Sequence, residues 1–78
     1  MDITTIVGVT GAFIILVTFM LNQSGKLSAE SRSYDIANAA GSLILVTYAF
    51  MLNSIPFIIL NGVWFVVSLK DVLRPNKK

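Results

Sequence analysis

Asn61, Trp64, Ser68 and Asp71 recur at intervals of three, four and three residues, which places them in one stripe if their segment is helical. A second series, Asn38, Ser42, Leu45 and Tyr48 or Ala49, repeats at similar intervals. Amides, hydroxyls and an indole can hold a neutral solute through hydrogen bonds and a flat apolar wall. The same groups can equally tie one helix to another. They are poorly suited to moving protons. The chain has no histidine and no cysteine, so the commonest general base, the thiolate nucleophile and the usual zinc ligands are missing together. Between Asp35 and Lys70 the one titratable side chain is Tyr48, which ionises only near about pH 10. No enzyme, cofactor or metal site is expected, and a carboxylate proton relay inside that segment is excluded.

The elements that carry these stripes follow from an unusual composition. Of 78 residues, 55% are hydrophobic and 13% charged, about half the charge of an ordinary soluble domain, and the mean hydropathy is +0.79. The charges leave two uncharged runs, Ile3 to Gly25 and Ile36 to Leu69, of 23 and 34 residues. As helices these would measure about 34 and about 51 Å, against roughly 30 Å for the hydrocarbon core of a bilayer. One run fits a single crossing, and the other must be divided. Asn53-Ser54-Ile55-Pro56 is the cluster of turn formers inside it, and proline favours the first turn of a following helix. The sequence therefore predicts an all-α, membrane-spanning bundle of three helices, over about 3–21, 31–52 and 56–72, in a single domain covering 1–78. Asp2 and the length of the apolar stretch after it argue against a cleaved signal peptide, so helix one is expected to be retained.

Basic residues occur at Lys26 and Arg32 between helices one and two, and at Lys70, Arg74, Lys77 and Lys78 after helix three. The N-terminus and the turn at Asn53 carry none. The positive-inside rule then predicts the N-terminus outside and the C-terminus in the cytoplasm. Anchoring to anionic lipid accounts for the basic end more simply than nucleic acid does, and no nucleic-acid partner is expected. Glu30 and Asp35 would lie at the same face, where they can reach interfacial water or pair with Lys26 and Arg32.

In hydrocarbon, helices associate through small residues and interhelical hydrogen bonds. Helix one offers Gly8, Gly11 and Ala12, with Gly8 and Ala12 as a small-xxx-small pair, and helix two offers Ala37 with Gly41. Gly8, Ala12 and Gly41 are the candidate packing positions. Asn61 is either a clamp between helices or part of a polar cavity, and Trp64 either fills a packing gap or forms the wall of a site. Counting away from the turn puts Leu45 and Tyr48 near the level of Asn61, Ser42 near Trp64, and Asn38 near Ser68.

The segment Leu27-Ser28-Ala29-Glu30-Ser31, with Tyr34, Asn38, Gly41, Asn53, Pro56, Trp64 and Ser68-Leu69, resembles an uncharacterised family of small bacterial three-helix membrane proteins often labelled permease-like. The likeness runs from about Gly8 to Arg74. More remotely, Ser31-Arg32, Gly41, Tyr48, Pro56 and Asn61 resemble the SemiSWEET half-transporters of the PQ-loop superfamily. That second likeness implies a helix order of 1-3-2, with helix three between the others, and a parallel homodimer around a substrate path in which Asn61 contacts the solute. The proline-glutamine pair of that family falls at Leu21-Asn22 here, and its helix-two tryptophan at Leu45. The expected function is a homodimeric half-transporter or permease-like protein of the bacterial inner membrane. It would pass a small uncharged solute by facilitated passage, with Asn61, Trp64, Tyr48, Ser42 and Asn38 lining the route. The rival expectation is a non-transporting accessory or regulatory subunit of a larger membrane complex.

Overall fold

Each helix begins where the sequence supplies a cap or a proline. In a computed structural model, which describes residues 2–74, α1 spans Ile3–Gln23, α2 Arg32–Met51 and α3 Ile55–Val72. The Asp2 carboxylate accepts from the Thr5 N–H at 2.8 Å and Ser31 Oγ from the Tyr34 N–H at 3.1 Å, each satisfying a donor that the first helical turn leaves open. Hydrogen bonds from the Thr5 side chain, and then from its backbone, hold the Asp2 carboxyl below its ordinary value of 3.8. Ser54 makes no side-chain cap, and Pro56 occupies the start of α3 instead. Lys77 and Lys78, part of the basic tail, lie outside the described residues.

Two helices stop in the same way. The Lys26 N–H donates to Leu21 O at 3.0 Å and the Gly25 N–H to Asn22 O at 3.2 Å, with Gly25 at φ 81. Ser54 and Asn53 repeat the pattern onto Ala49 O and Phe50 O, both at 3.0 Å, with Asn53 at φ 55. Both are Schellman endings, which need one residue in the left-handed region, where glycine and asparagine are the easiest occupants. The chain reverses at each, so successive helices run antiparallel.

The interior is inverted relative to that of a water-soluble protein. Among the described residues the buried hydrophobic side chain is that of Ala49, while Thr18, Asp35, Asn38, Ser42 and Ser68 are also buried, together with Gly8, Gly11 and Gly41. Leu, Ile, Val and Phe side chains from all three helices point outward. Large exposed apolar surface is costly in water and costs nothing in hydrocarbon. Two helices, α1 and α3, are long and apolar enough to cross a membrane. α2 carries Arg32, Asp35, Asn38 and Ser42 and is not in that class.

The helix order corrects the expectation of 1-3-2. α2 packs against both α1 and α3, and α1 and α3 make no close approach to each other. The residues explain this arrangement. α2 alone has small or short polar residues on two sides, Gly41 toward α1 and the Ser42 and Ala49 side toward α3, so two backbones can draw near it. Short connections also favour neighbours in sequence becoming neighbours in space. A groove is left over α2, with α1 and α3 as its walls.

Candidate functional site

The α1–α2 seam decides which side chains remain for the groove. A Cβ added at Gly8 would come within 2.6 Å of the Tyr48 ring, one at Gly41 within 2.8 Å of Ile15, and one at Gly11 within 3.0 Å of Ile44 and Leu45. Tyr48 therefore lies across Gly8, inside the seam, and is not among the residues lining the recesses described next. Gly8 and Gly11, three apart, make the close approach on α1. Ala12, the expected partner of Gly8, is exposed and faces the groove. The small-xxx-small spacing of four points to Ala12, whereas the close approach uses the spacing of three between Gly8 and Gly11.

The groove contains two adjoining recesses. The smaller, about 120 Å³, is walled by Ser42 and Leu45 of α2, Leu60, Asn61 and Trp64 of α3, and Ile15 of α1. The larger, about 380 Å³, shares Ile15, Leu45 and Trp64 and adds Tyr34 and Asn38 on α2, with Ala12, Leu16 and Phe19 on α1. Both are half open. The antiparallel count from the turn set Ser42 level with Trp64 and Leu45 level with Asn61, and all four share the smaller recess. Of the five expected lining residues, Asn38, Ser42, Asn61 and Trp64 are brought together, and Tyr48 is not. Tyr34, Ile15 and Leu16 were not anticipated. For Ile15 and Leu16 the signal is positional only, since a wall from α1 follows from the observed helix order and not from the two polar stripes, whereas Tyr34 lies four residues before Asn38 and continues the stripe of α2.

The polar atoms are held in fixed orientations. Asn38 Nδ2 donates to Tyr34 O at 3.0 Å, Ser42 Oγ to Asn38 O at 2.7 Å and Ala39 O at 3.1 Å, and Asn61 Nδ2 to Phe57 O at 3.1 Å. A backbone carbonyl only accepts, so each amide turns its nitrogen to the preceding turn and keeps Oδ1 for another partner. Ser42 is 1% exposed and Asn38 8%, whereas Trp64 is 50% exposed. The lining is thus mainly apolar, with a few fixed polar groups at its base and a large indole at its rim, and no charged residue lines either recess. Among the described residues no group of three His, Cys, Asp or Glu could hold a metal ion. What the groove can do is bind, by hydrogen bonds at its base and by contact with an indole at its edge.

Among the described residues, the charged side chains other than Asp2 gather at the opposite end from the Asn53 turn. The Arg32 guanidinium donates to Val72 O and, at 3.1 Å, to Arg74 O, while Arg74 pairs with Asp71 at 3.2 Å. Glu30 is exposed and Asp35 is buried. Ser68, of the α3 stripe, is buried at 7%.

The chain belongs to an uncharacterised protein family, whose model matches residues 4–77. No curated protein matches the chain, and no solved structure does.

Proposed function

We propose that the protein is an integral membrane protein of three spans, and that two copies close their grooves on one another to line a passage for a small uncharged solute. The observation carrying this reading is the groove itself: an uncharged recess with Ser42, Asn61 and Trp64 on its walls, set in a helix layer whose outside is bulky and apolar. The long dimension of 37 Å is of the order needed to cross roughly 30 Å of hydrocarbon with its ends in the interfaces. α2 would cross between α1 and α3, with its polar groups turned to its neighbours and to the groove. One groove is open along its length, so enclosure needs a second copy. With no charge in the groove, passage would be facilitated and not coupled to protons. The basic residues argue for the cytoplasmic membrane, with the N-terminus outside and the C-terminus inside. The helix order differs from that of the SemiSWEET proteins, so the support for a passage is the groove.

Uptake of a panel of neutral solutes into liposomes containing the purified protein tests the reading. Flux is expected with the wild-type chain and is expected to fall in Asn61→Leu, which pushes an apolar branch into the recess. The accessory role remains a second reading because Asn38, Ser42 and Asn61 each commit a donor to their own helix, which leaves a mainly apolar seat for a partner's helix. Inert liposomes, with Asn61→Ala and Trp64→Ala altering only the stability of the assembly, would favour that role.

A further inference from the structure

We propose that α2 and α3 form one latched hairpin, and that α1 is the element that moves against it and sets the width of the groove. The hairpin is fastened at both ends. At one end the Schellman ending at Leu52–Ser54 joins the helices with no slack, through Ser54 N–H to Ala49 O and Asn53 N–H to Phe50 O. At the other, Arg32 reaches across from the first turn of α2 and donates to the carbonyls of Val72 and Arg74. The Val72 carbonyl belongs to the last turn of α3 and that of Arg74 lies two residues beyond it, where helical geometry supplies no partner and the helix dipole favours a cation. Both bonds are charge-assisted, so they are stronger than neutral ones. Between the two fastenings lie Ser42, Ala49 and Ser68, all buried.

α1 is held differently. Among the described residues, its buried Thr18 donates to its own Ile14 O and Thr10 to its own Ile6 O, both at 2.7 Å. Asn22 turns to Leu27 O in the connecting loop at 3.0 Å. None of these side chains bonds to α2 or α3. The α1–α2 seam is instead glycine against ring and branch, Gly8 on Tyr48 and Gly41 on Ile15. Such contacts are dispersive and non-directional, and a shift of α1 along them leaves the hydrogen bonds of Thr10, Thr18 and Asn22 intact. Its loop, residues 24–31, contains Gly25 and is longer than the turn after α2. Ile15, Leu16 and Phe19 of α1 face Trp64 across the larger recess, so displacement of α1 opens or narrows it. This inference holds whether or not a solute passes.

Because the chain has no cysteine, spin labels can be placed on engineered cysteine pairs without background. Ile36→Cys with Leu69→Cys reports α2 against α3, and Met20→Cys with Leu69→Cys reports α1 against α3; all three positions are exposed. Labelled chains diluted into unlabelled protein in lipid nanodiscs are read by pulsed dipolar distance measurement. The expected result is a narrow Ile36–Leu69 distribution and a broad or two-peaked Met20–Leu69 distribution. Arg32→Ala is expected to abolish the narrow peak, and Arg32→Lys, which keeps the charge but not the fork, to broaden it less. Equal widths for the two pairs in the wild-type chain would overturn the proposal, as would an Arg32→Ala variant that keeps both distributions unchanged.

Discussion

Glycines that look alike in the sequence have different surroundings, and substitution should separate them. A Cβ at Gly8 or Gly41 runs into Tyr48 or Ile15, whereas one at Gly62 meets nothing within 4 Å. Gly8→Val is therefore expected to destabilise the folded protein by about 1–3 kcal/mol through overpacking. Gly62→Ala should instead stabilise it by roughly 0.5–1 kcal/mol, because alanine loses less backbone freedom on folding. Unfolding in mixed micelles measures both, and similar losses at the two sites would contradict the seam. Asp2 makes a prediction about pH. Its carboxyl ionises more readily in the folded chain than in the unfolded one, so its contribution is complete above the ordinary 3.8 and fades as the pH falls through the lower folded value. Amide exchange at Thr5 should accelerate across that acidic interval, and the acceleration should disappear in Asp2→Asn if the charge is responsible. Asn61, Ser42 and Trp64 were legible as a constellation because hydrophilic side chains stand out in an apolar run. Tyr48 shows the limit of such spacing, because a ring that covers a glycine, as it does at Gly8, and a ring that lines a site recur at the same intervals along a helix.

The three helices end within two residues of where turn formers and uncharged runs placed them, because caps, proline and left-handed positions are local in origin. Ser31 and Asn53 test those local causes. Ser31→Ala should cost about 1 kcal/mol by removing the acceptor for the Tyr34 N–H, read as a lower unfolding midpoint. At Asn53, with φ 55, Asn53→Gly should be tolerated, while Asn53→Val should cost about 1–2 kcal/mol through left-handed backbone strain. If valine proved as acceptable as glycine, the turn would not have the geometry described. The order of the helices was less legible. Spacing shows which faces are small or polar, but not which neighbour each face meets. Gly41 and Ser42 are adjacent in sequence yet serve different partners, Gly41 the side of α1 and Ser42 the side of α3. Two small faces on one helix are the physical signature of a central element, and the distant family likeness pointed elsewhere.

Over the whole molecule, the exterior and the groove give separate tests. Trp64 is the sole tryptophan and is 50% exposed at the rim, so its fluorescence reports directly on what lies beside it. If a second copy covers the groove, lipids brominated at mid-chain should quench Trp64 weakly in the assembled protein and more strongly once it is diluted to single copies. Equal quenching in both states would mean that the groove faces lipid. The proposed three spans require Ser54→Cys and Ser28→Cys to react with an impermeant maleimide from opposite sides of the membrane, and the proposed orientation requires the former to react from outside. Finally, α2 is the least apolar of the three helices and yet occupies the middle, with Arg32, Asp35, Asn38 and Ser42 along its length. During synthesis such a segment is a poor candidate for partitioning into lipid by itself. It should linger at the insertion machinery until α3 has emerged, and the two should then enter as a pair, so that a chain truncated after Met51 and released from the ribosome would leave α2 outside the bilayer.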